Sequence, residues 1–226
     1  MNTPILETKN LDKFFTDPVE FQALKNINIQ IDRGEFVSII GSSGSGKSTL
    51  LYILSTLDTD YKGNLFLEGE DLSLKTKNQL AEIRNENIGF VFQFHYLLPE
   101  FTVLENVMLP SLKLGKLSQE QAESEALNKL DLLGMKSQAP KKASKLSGGQ
   151  QQRAAIARAL INNPKIIFGD EPTGNLDSKN AENVLEIFKE LKNNFKQTIL
   201  VVTHDMQFAG STDRIIKLHD GEVVTQ

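Results

Sequence analysis

The chain has 226 residues, no cysteine and a net charge of −4, with lysines and arginines interspersed among aspartates and glutamates. Without cysteine it has neither a disulfide framework nor a thiolate metal site, and without a basic face we expect no nucleic-acid partner. The N-terminus lacks a basic start followed by an apolar region, so no signal peptide is predicted. No apolar run reaches the ~18 residues that a spanning helix needs, so the chain is not expected to cross a membrane by itself.

Strand patterns alternate with helix patterns along the chain. β-strands are predicted over 24–31, 36–40, 88–92, 165–169 and 198–202, with a strand and a turn over 63–72 and a hairpin over 214–224. Helices are predicted over 47–57, 77–86, 118–134, 148–162 and 179–193. This alternation favours an α/β fold with a mostly parallel sheet covered by helices on both faces. The helix-rich segment 89–160 is expected to be a lobe inserted into an α/β core.

A glycine-rich loop, GSSGSGKS, lies between the predicted strand 36–40 and the helix after it. It fits the pattern G-x-x-x-x-G-K-[ST]. Glycines let the backbone approach an anion, successive N–H groups form a nest, and the helix adds its positive dipole end. Lys47 is suited to the β- and γ-phosphates of a nucleotide, and the Ser48 hydroxyl to Mg²⁺. The predicted nucleotide-binding residues are Gly41, Ser42, Ser43, Gly44, Ser45, Gly46, Lys47, Ser48 and Thr49. The alternative is a glycine-rich turn without a ligand.

Two adjacent carboxylates follow the apolar run IIFG. Asp170 is suited to hold Mg²⁺ through water, because magnesium keeps much of its hydration shell. Glu171 is suited to orient or deprotonate an attacking water in phosphoryl transfer. Such a pair alone is more often a solvated strand end, and the glycine-rich loop earlier in the chain favours the functional interpretation.

A second glycine pair opens a predicted helix in LSGGQQQR, residues 146–153. Ser147 is a typical N-cap, so a capped helix with no further role is the alternative. One nucleotide does not need two anion-binding helix starts from the same chain. A head-to-tail dimer, in which each glycine-rich loop is covered by the partner's Ser-Gly-Gly, would use both.

These motifs occur in the order found in ATP-binding cassette (ABC) ATPases, which the chain resembles over essentially its whole length. The residues that carry the resemblance are Gly41–Ser48, Gln93, Leu146–Gln150, Asp170-Glu171, the GNLD stretch at 174–177, and His204. The resemblance implies an α/β P-loop NTPase fold with a mixed sheet, a small antiparallel β subdomain and an inserted helical subdomain. It implies one nucleotide-binding domain over 1–226, with the core and β subdomain in 1–88 and 161–226 and the helical subdomain in 89–160.

The resemblance also implies roles in hydrolysing ATP with Mg²⁺. The catalytic group would comprise Glu171, His204, Gln93 and Lys47, and the metal would be held by Ser48, Gln93 and Asp170. Ser147, Gly148, Gly149 and Gln150 would bind the ATP of a second copy, and Asp177 would lie in the loop that links the two sites of the dimer. Phe15 would stack on adenine, with Phe14 as the alternative.

The segment VFQFHYLLPEF, residues 91–101, is unusually rich in large apolar groups. In transporters of this family, short cytoplasmic helices of the membrane subunits enter a groove beside the matching glutamine. We therefore expect docking near Gln93–Met108, through large apolar side chains such as Tyr96, Leu97, Leu98 and Phe101. The alternative is that Leu97, Leu98 and Phe101 pack inside the helical lobe, and a mixture of both is the expectation.

QFHYLLPEFTVLENV, with DEPTGNLD downstream, resembles the ATP-binding subunits of lipoprotein-releasing (Lol-type) transporters of Gram-negative bacteria. This resemblance implies a peripheral location on the cytoplasmic face of the inner membrane. Macrolide-export and cell-division ATPases of the same subfamily are the alternative. Chromosome-type cassettes separate their nucleotide motifs by hundreds of residues, and translation-type chains carry two cassettes. A small-molecule kinase would have no use for LSGGQ.

Overall fold

Residues 4–17 and 19–225 are described in a computed structural model of the chain, and they form two compact units. One unit comprises the described residues up to Ala81 together with those from Lys192 onward, and the other is Glu82–Leu191. The helical lobe predicted over 89–160 lies inside the second unit, and its bounds stay a prediction.

The described chain begins with four strands, after which helices and strands are interspersed. The strands are β1 Leu6–Phe15, β2 Phe21–Ile27, β3 Gln30–Ile31, β4 Phe36–Ile40, β5 Lys62–Leu67, β6 Glu70–Asp71, β7 Ile88–Phe92, β8 Ile166–Asp170, β9 Thr198–Val202, β10 Arg214–His219 and β11 Glu222–Thr225. The helices are α1 Lys47–Leu54, α2 Lys77–Asn87, α3 Val103–Leu114, α4 Gln119–Leu132, α5 Gly148–Leu160, α6 Ser178–Phe195 and α7 Met206–Ala209. Among residues 4–17 and 19–225, no helix is long and apolar enough to cross a membrane.

The first unit contains an antiparallel sheet centred on β1, which pairs with β2, β3 and β5. No strand was predicted for β1. The single strand predicted over 24–31 is wrong, because the chain leaves the extended conformation after β2 and resumes it in β3. The cause lies in two asparagines: Asn26 has a left-handed φ of 47°, and Asn28 donates to its main-chain oxygen at 2.8 Å.

A second sheet in the first unit positions the glycine-rich loop. β4 pairs in parallel with both β9 and β10, and β11 pairs antiparallel with β10, so this sheet is mixed. Val37, Ile39 and all of β9 are buried. Because β4 is buried on both faces, it reads in the sequence as the continuous apolar run predicted over 36–40.

The second unit combines the parallel pair β7 and β8 with the helices α3, α4 and α5. The ring of Phe90 stacks on Phe92 at 4.1 Å and on Phe168 at 6.4 Å between centroids. α3 was not among the predicted helices, because Pro110 lies inside it and interrupts the helical pattern. Thr102 and Glu105 form a capping box that fixes its start.

Candidate functional site

The glycine-rich loop joins β4 to α1. Gly46 is the N-cap of α1 with a left-handed φ of 97°, and no side chain of the described residues caps this helix. A Cβ on Gly46 would lie 2.8 Å from the carbonyl oxygen of Ala23, which belongs to β2 and cannot easily move. Glycine is therefore required here, and α1 begins without a side-chain cap, as expected for a helix start that binds an anion.

The base of the loop is held by the β10–β11 hairpin. A Cβ on Gly41 would lie 2.2 Å from the carbonyl oxygen of Leu218, and the N–H of Gly221 donates to the Ser45 carbonyl at 3.1 Å. At the tip, Gly44 has a φ of 79°, and a Cβ there would meet nothing within 4 Å among the described atoms. The loop is thus fixed at both ends and open at its tip, as an anion cradle must be.

Lys47 places a positive charge on this loop. Its Nζ donates to the carbonyls of Gly41 at 3.0 Å and Ser42 at 2.8 Å. Ser48 and Thr49 follow Lys47 in the first turn of α1. The predicted cradle residues therefore lie together, with backbone donors, an ammonium and, in the first turn of α1, two hydroxyls.

His204 emerges at the same edge of the sheet as the loop. β4 and β9 are parallel neighbours in which Ile39 pairs with Val202, so the residues after each strand leave the sheet side by side. His204 is exposed, and the next residue, Asp205, caps α7 by accepting from the N–H groups of Gln207 and Phe208. The cap fixes the turn that carries the histidine.

Phe15 ends β1 and is 37% exposed. Its ring stacks on Phe21 at 5.3 Å between centroids, and the Lys13 ammonium lies 5.0 Å from its centroid. Burial acts to lower the pKa of Lys13, but hydrogen bonds and charges from Asp58 and Asp60 outweigh it and raise that pKa. The ammonium beside Phe15 is therefore held charged. The choice between Phe15 and Phe14 as the adenine partner stays a prediction.

In the second unit, Asp170 is the last residue of β8 and pairs with Phe92 of β7. The next residue of each strand, Glu171 and Gln93, therefore emerges at a common edge. Glu171 has a left-handed φ of 44°, which is uncommon for a residue other than glycine and typical of functional sites.

Gly174 lies against both of these side chains. A Cβ at this position would be 2.8 Å from Nε2 of Gln93 and 3.3 Å from Oε2 of Glu171. Gln93 Nε2 donates to Asn175 Oδ1 at 3.3 Å, and Asn175 Nδ2 returns a bond to the Gln93 carbonyl at 3.2 Å. The sequence interpretation missed Asn175, because this contact joins segments that are 82 residues apart.

The LSGGQ segment opens α5, with Ser147 as its N-cap in extended conformation. The N–H of Ser147 donates to Oε1 of Gln150 at 3.0 Å, so that glutamine is also a capping residue. A Cβ on Gly149 would lie 2.2 Å from Oδ1 of Asn180. Asn180 in turn donates to both carboxylate oxygens of Asp177, and these bonds, with Lys179, lower the pKa of Asp177.

Four large apolar side chains project from the segment that follows Gln93. Their exposed fractions are 62% for Phe94, 63% for Tyr96, 43% for Leu98 and 41% for Phe101. Leu97 is half-buried. Most of the segment therefore faces outward within its unit, with Leu97 on the inner side.

The backbone of this segment is fixed from two helices. Arg158 of α5 donates to the carbonyls of His95 and Tyr96, each at 2.7 Å. Asn106 of α3, fully buried, accepts from the N–H of Leu98 at 2.7 Å and donates to its carbonyl at 3.0 Å. Burial, and secondly the Arg158 charge, lower the pKa of His95. The hydrogen bonds that Arg158 and Asn106 make to this backbone were not predicted from the sequence.

The donor atoms of the proposed metal ligands are all oxygens. Ser48 supplies a hydroxyl, Gln93 an amide oxygen and Asp170 a carboxylate. Within the described residues, no three His, Cys, Asp or Glu side chains are grouped so as to hold a metal by themselves. This set fits Mg²⁺, which usually takes one or two carboxylates together with substrate phosphates.

Known proteins resemble this chain in both sequence and structure. The ABC transporter family matches residues 24–174. The lipoprotein-releasing system ATP-binding protein LolD 1 of Chlorobium chlorochromatii (strain CaD3) is 50% identical over 200 residues. The aligned region covers 88% of this chain and 81% of that protein. LolD of Aquifex aeolicus (strain VF5) is 48% identical over 220 residues, covering 97% and 96%. The dimeric structures of the bacterial ABC transporter cassette MJ0796, one of them a post-hydrolysis state bound to ADP and Pi, are 44% identical with a TM-score of 0.88 and cover 97% of both chains. These similarities confirm the predicted fold class.

Proposed function

The chain belongs to the ABC transporter family, and we propose on that premise that it is the ATP-hydrolysing subunit of a bacterial transporter that releases lipoproteins from the inner membrane. The observation that carries the transport assignment is the identity of about half of all residues with LolD proteins over most of both chains. The observation that supports the chemistry is the cradle at Gly41–Thr49, which is fixed at its base and open at its tip.

ATP is held by its phosphates in this cradle. The N–H groups of the loop and of the first turn of α1 donate to the phosphate oxygens, and Lys47 leaves its own loop carbonyls to pair with them. The adenine stacks on Phe15. Ser48, Gln93 and Asp170 would hold Mg²⁺, which would neutralise charge on the phosphates.

Hydrolysis depends on positioning and charge stabilisation. Glu171 orients or deprotonates the attacking water, and the amide of Gln93 helps to hold that water. Lys47 and His204 stabilise the charge that develops on the transferring phosphoryl group. The left-handed backbone at Glu171 and the close packing of Gly174 support this assignment, since both constrain where the carboxylate can lie.

Two copies of the chain close on two ATP molecules. Ser147, Gly148, Gly149 and Gln150 present the start of α5 to the γ-phosphate of the partner's ATP, and Asp177 links the two sites. Because this phosphate bridges both copies, ATP favours the closed dimer and hydrolysis removes the bridge. The dimeric MJ0796 cassette is a precedent for such an assembly.

Closure of the dimer acts on integral membrane subunits, which dock near Gln93–Met108. The exposed side chains of Phe94, Tyr96, Leu98 and Phe101 support this surface, because they are large, apolar and outward-facing. The chain accordingly lies at the cytoplasmic face of the inner membrane as a peripheral subunit.

The substitution Glu171→Gln tests the catalytic half of this proposal. We expect the variant to bind ATP, to hydrolyse it at a small fraction of the wild-type rate, and to form a closed dimer with Mg-ATP that light scattering detects. Hydrolysis at the wild-type rate would show that Glu171 does not act on the water.

Purification with the membrane subunits tests the transport half. The complex, reconstituted in vesicles that contain a lipid-modified protein, is expected to release that protein when ATP is added and not with the Glu171→Gln subunit. Co-purification with a macrolide exporter or a cell-division membrane protein instead would refute the lipoprotein assignment and leave the ATPase assignment intact.

A further inference from the structure

Asn180 belongs to none of the nucleotide-binding motifs, yet its side chain lies between two of them. It is the third residue of α6, half-buried, and follows Asp177 by three positions. Its backbone N–H donates to Asp177 Oδ1 at 2.9 Å, and its Nδ2 donates to Asp177 Oδ2 at 2.8 Å. Both oxygens of the Asp177 carboxylate are therefore held by a single residue.

The other end of the same amide faces the LSGGQ segment. A Cβ built on Gly149 would lie 2.2 Å from Asn180 Oδ1, 2.7 Å from its Cγ and 3.3 Å from its Cβ. By comparison, a Cβ on Gly148 would meet Leu176 at 3.8 Å, which is an ordinary van der Waals contact. Of these two contacts at the start of α5, the tight one is therefore the contact between Gly149 and Asn180, in the first turn of α6.

We propose that Asn180 is a positioning residue for the ATP-bridged dimer. It fixes the Asp177 carboxylate relative to Gly149, so that both are in place to meet the nucleotide held by the partner copy. Asn180 does not itself contact that nucleotide. This inference rests on the proposed function, and it adds to that function a residue outside the family's motifs.

The chemistry of the side chain suits this task. An amide is a donor at one end and an acceptor at the other, so it pairs with the Asp177 carboxylate while its oxygen packs on Gly149. Without the amide, Asp177 keeps its bonds to backbone N–H groups but gains rotational freedom, which must be lost again when the dimer closes. Because one such carboxylate must be ordered in each of the two copies, dimerisation should weaken by about tenfold.

The test compares variants in a Glu171→Gln background, where ATP is retained. Asn180→Ala removes the amide, and Asn180→Asp keeps its shape but replaces the donor by an acceptor. Asn183→Ala is the matched control, because Asn183 is exposed and lies one turn further along the same helix. The dimer dissociation constant is measured by sedimentation with saturating Mg-ATP, and the affinity of the single chain is measured with Mg-ADP.

We expect both Asn180 variants to raise the dimer dissociation constant about tenfold and to bind ADP like the parent, while Asn183→Ala changes neither quantity. Dimerisation as tight as in the parent would overturn the inference. A loss of ADP affinity as large as the loss of dimerisation would also overturn it, since that result means general damage. If the Glu171→Gln parent itself stays monomeric with ATP, the proposed dimer fails and the inference falls with it.

Stability measurements test the contact independently of ATP. In Gly149→Ala, the added methyl group clashes with Oδ1 of Asn180. Asn180→Ala removes Oδ1, so the double variant lacks this clash. We expect Gly149→Ala to lower the melting temperature, and to lower it less when it is combined with Asn180→Ala. Equal losses in the two backgrounds would show that the two residues do not touch.

Discussion

Gly174→Ala is the sharpest test of how Gln93 and Glu171 are held. The added Cβ would lie 2.8 Å from Gln93 Nε2, whereas ordinary contact begins at 3.4 Å, so the amide must retreat by about 0.6 Å. The 3.3 Å contact with Glu171 Oε2 tightens as well. Because a misplacement of 1 Å can cost about 100-fold in rate, we expect kcat to fall by roughly tenfold.

The assay is steady-state phosphate release, with nucleotide affinity measured on the same preparation. ATP affinity should stay near the wild-type value, because the cradle at Gly41–Thr49 belongs to the other compact unit. Asn175→Ala is the comparison variant: it removes the hydrogen-bond partner of Gln93 without adding an atom, and should reduce kcat less. Wild-type kcat in Gly174→Ala would refute the idea that the packing at Gly174 sets the catalytic geometry.

Three further predictions concern the cradle and the stability of the chain. Arg158→Met removes two hydrogen bonds from a charged donor to the 91–101 segment and should lower the free energy of unfolding by about 2 kcal/mol, measured by urea denaturation; an unchanged midpoint would contradict it. Gly46→Ala imposes backbone strain of about 1–3 kcal/mol and should weaken ATP binding at least about tenfold, measured by calorimetry. Burial would raise the pKa of Asp213, but a backbone N–H and the Lys192 ammonium outweigh it and lower that pKa. The stabilisation by this carboxylate is thus present above pH ~4 and lost below it, so Asp213→Asn should flatten the acid limb of a plot of melting temperature against pH.

The strands that pair in parallel, such as β4, β7 and β9, could be predicted because burial on both faces produces a continuous apolar run in the sequence. The predicted bounds 36–40, 88–92 and 198–202 coincide with those of β4, β7 and β9. β1 gave no such signal. Its sequence LETKNLDKFF mixes buried and exposed positions irregularly, and its pairing with β5 shifts register between Lys9 and Asp12. The shift breaks the period of two on which strand prediction depends.

The geometry of the glycine-rich loop could likewise be predicted, because its pattern is contiguous. The glycine-rich loop carries its pattern within eight residues, and the structure fixes it in the turn that the pattern predicts. The supporting amides and the guanidinium could not be predicted. Arg158 reaches carbonyls 62 and 63 residues away, and Asn175 reaches Gln93 over 82 residues. A side chain that bonds to distant backbone leaves no periodicity in its own neighbourhood.

These unpredicted contacts bear on whether the 91–101 segment is core or docking surface. A loop with large exposed apolar groups is usually costly to bind, since its backbone must be ordered on association. Here Arg158 and Asn106 already hold the backbone, while Tyr96 and Leu98 stay exposed. The backbone of this segment is therefore already ordered in the folded chain, and its conformational entropy need not be lost on binding. Arg158 belongs to α5, whose first turn carries the LSGGQ glycines, so one helix both contacts the 91–101 segment and carries the surface proposed to meet the second ATP.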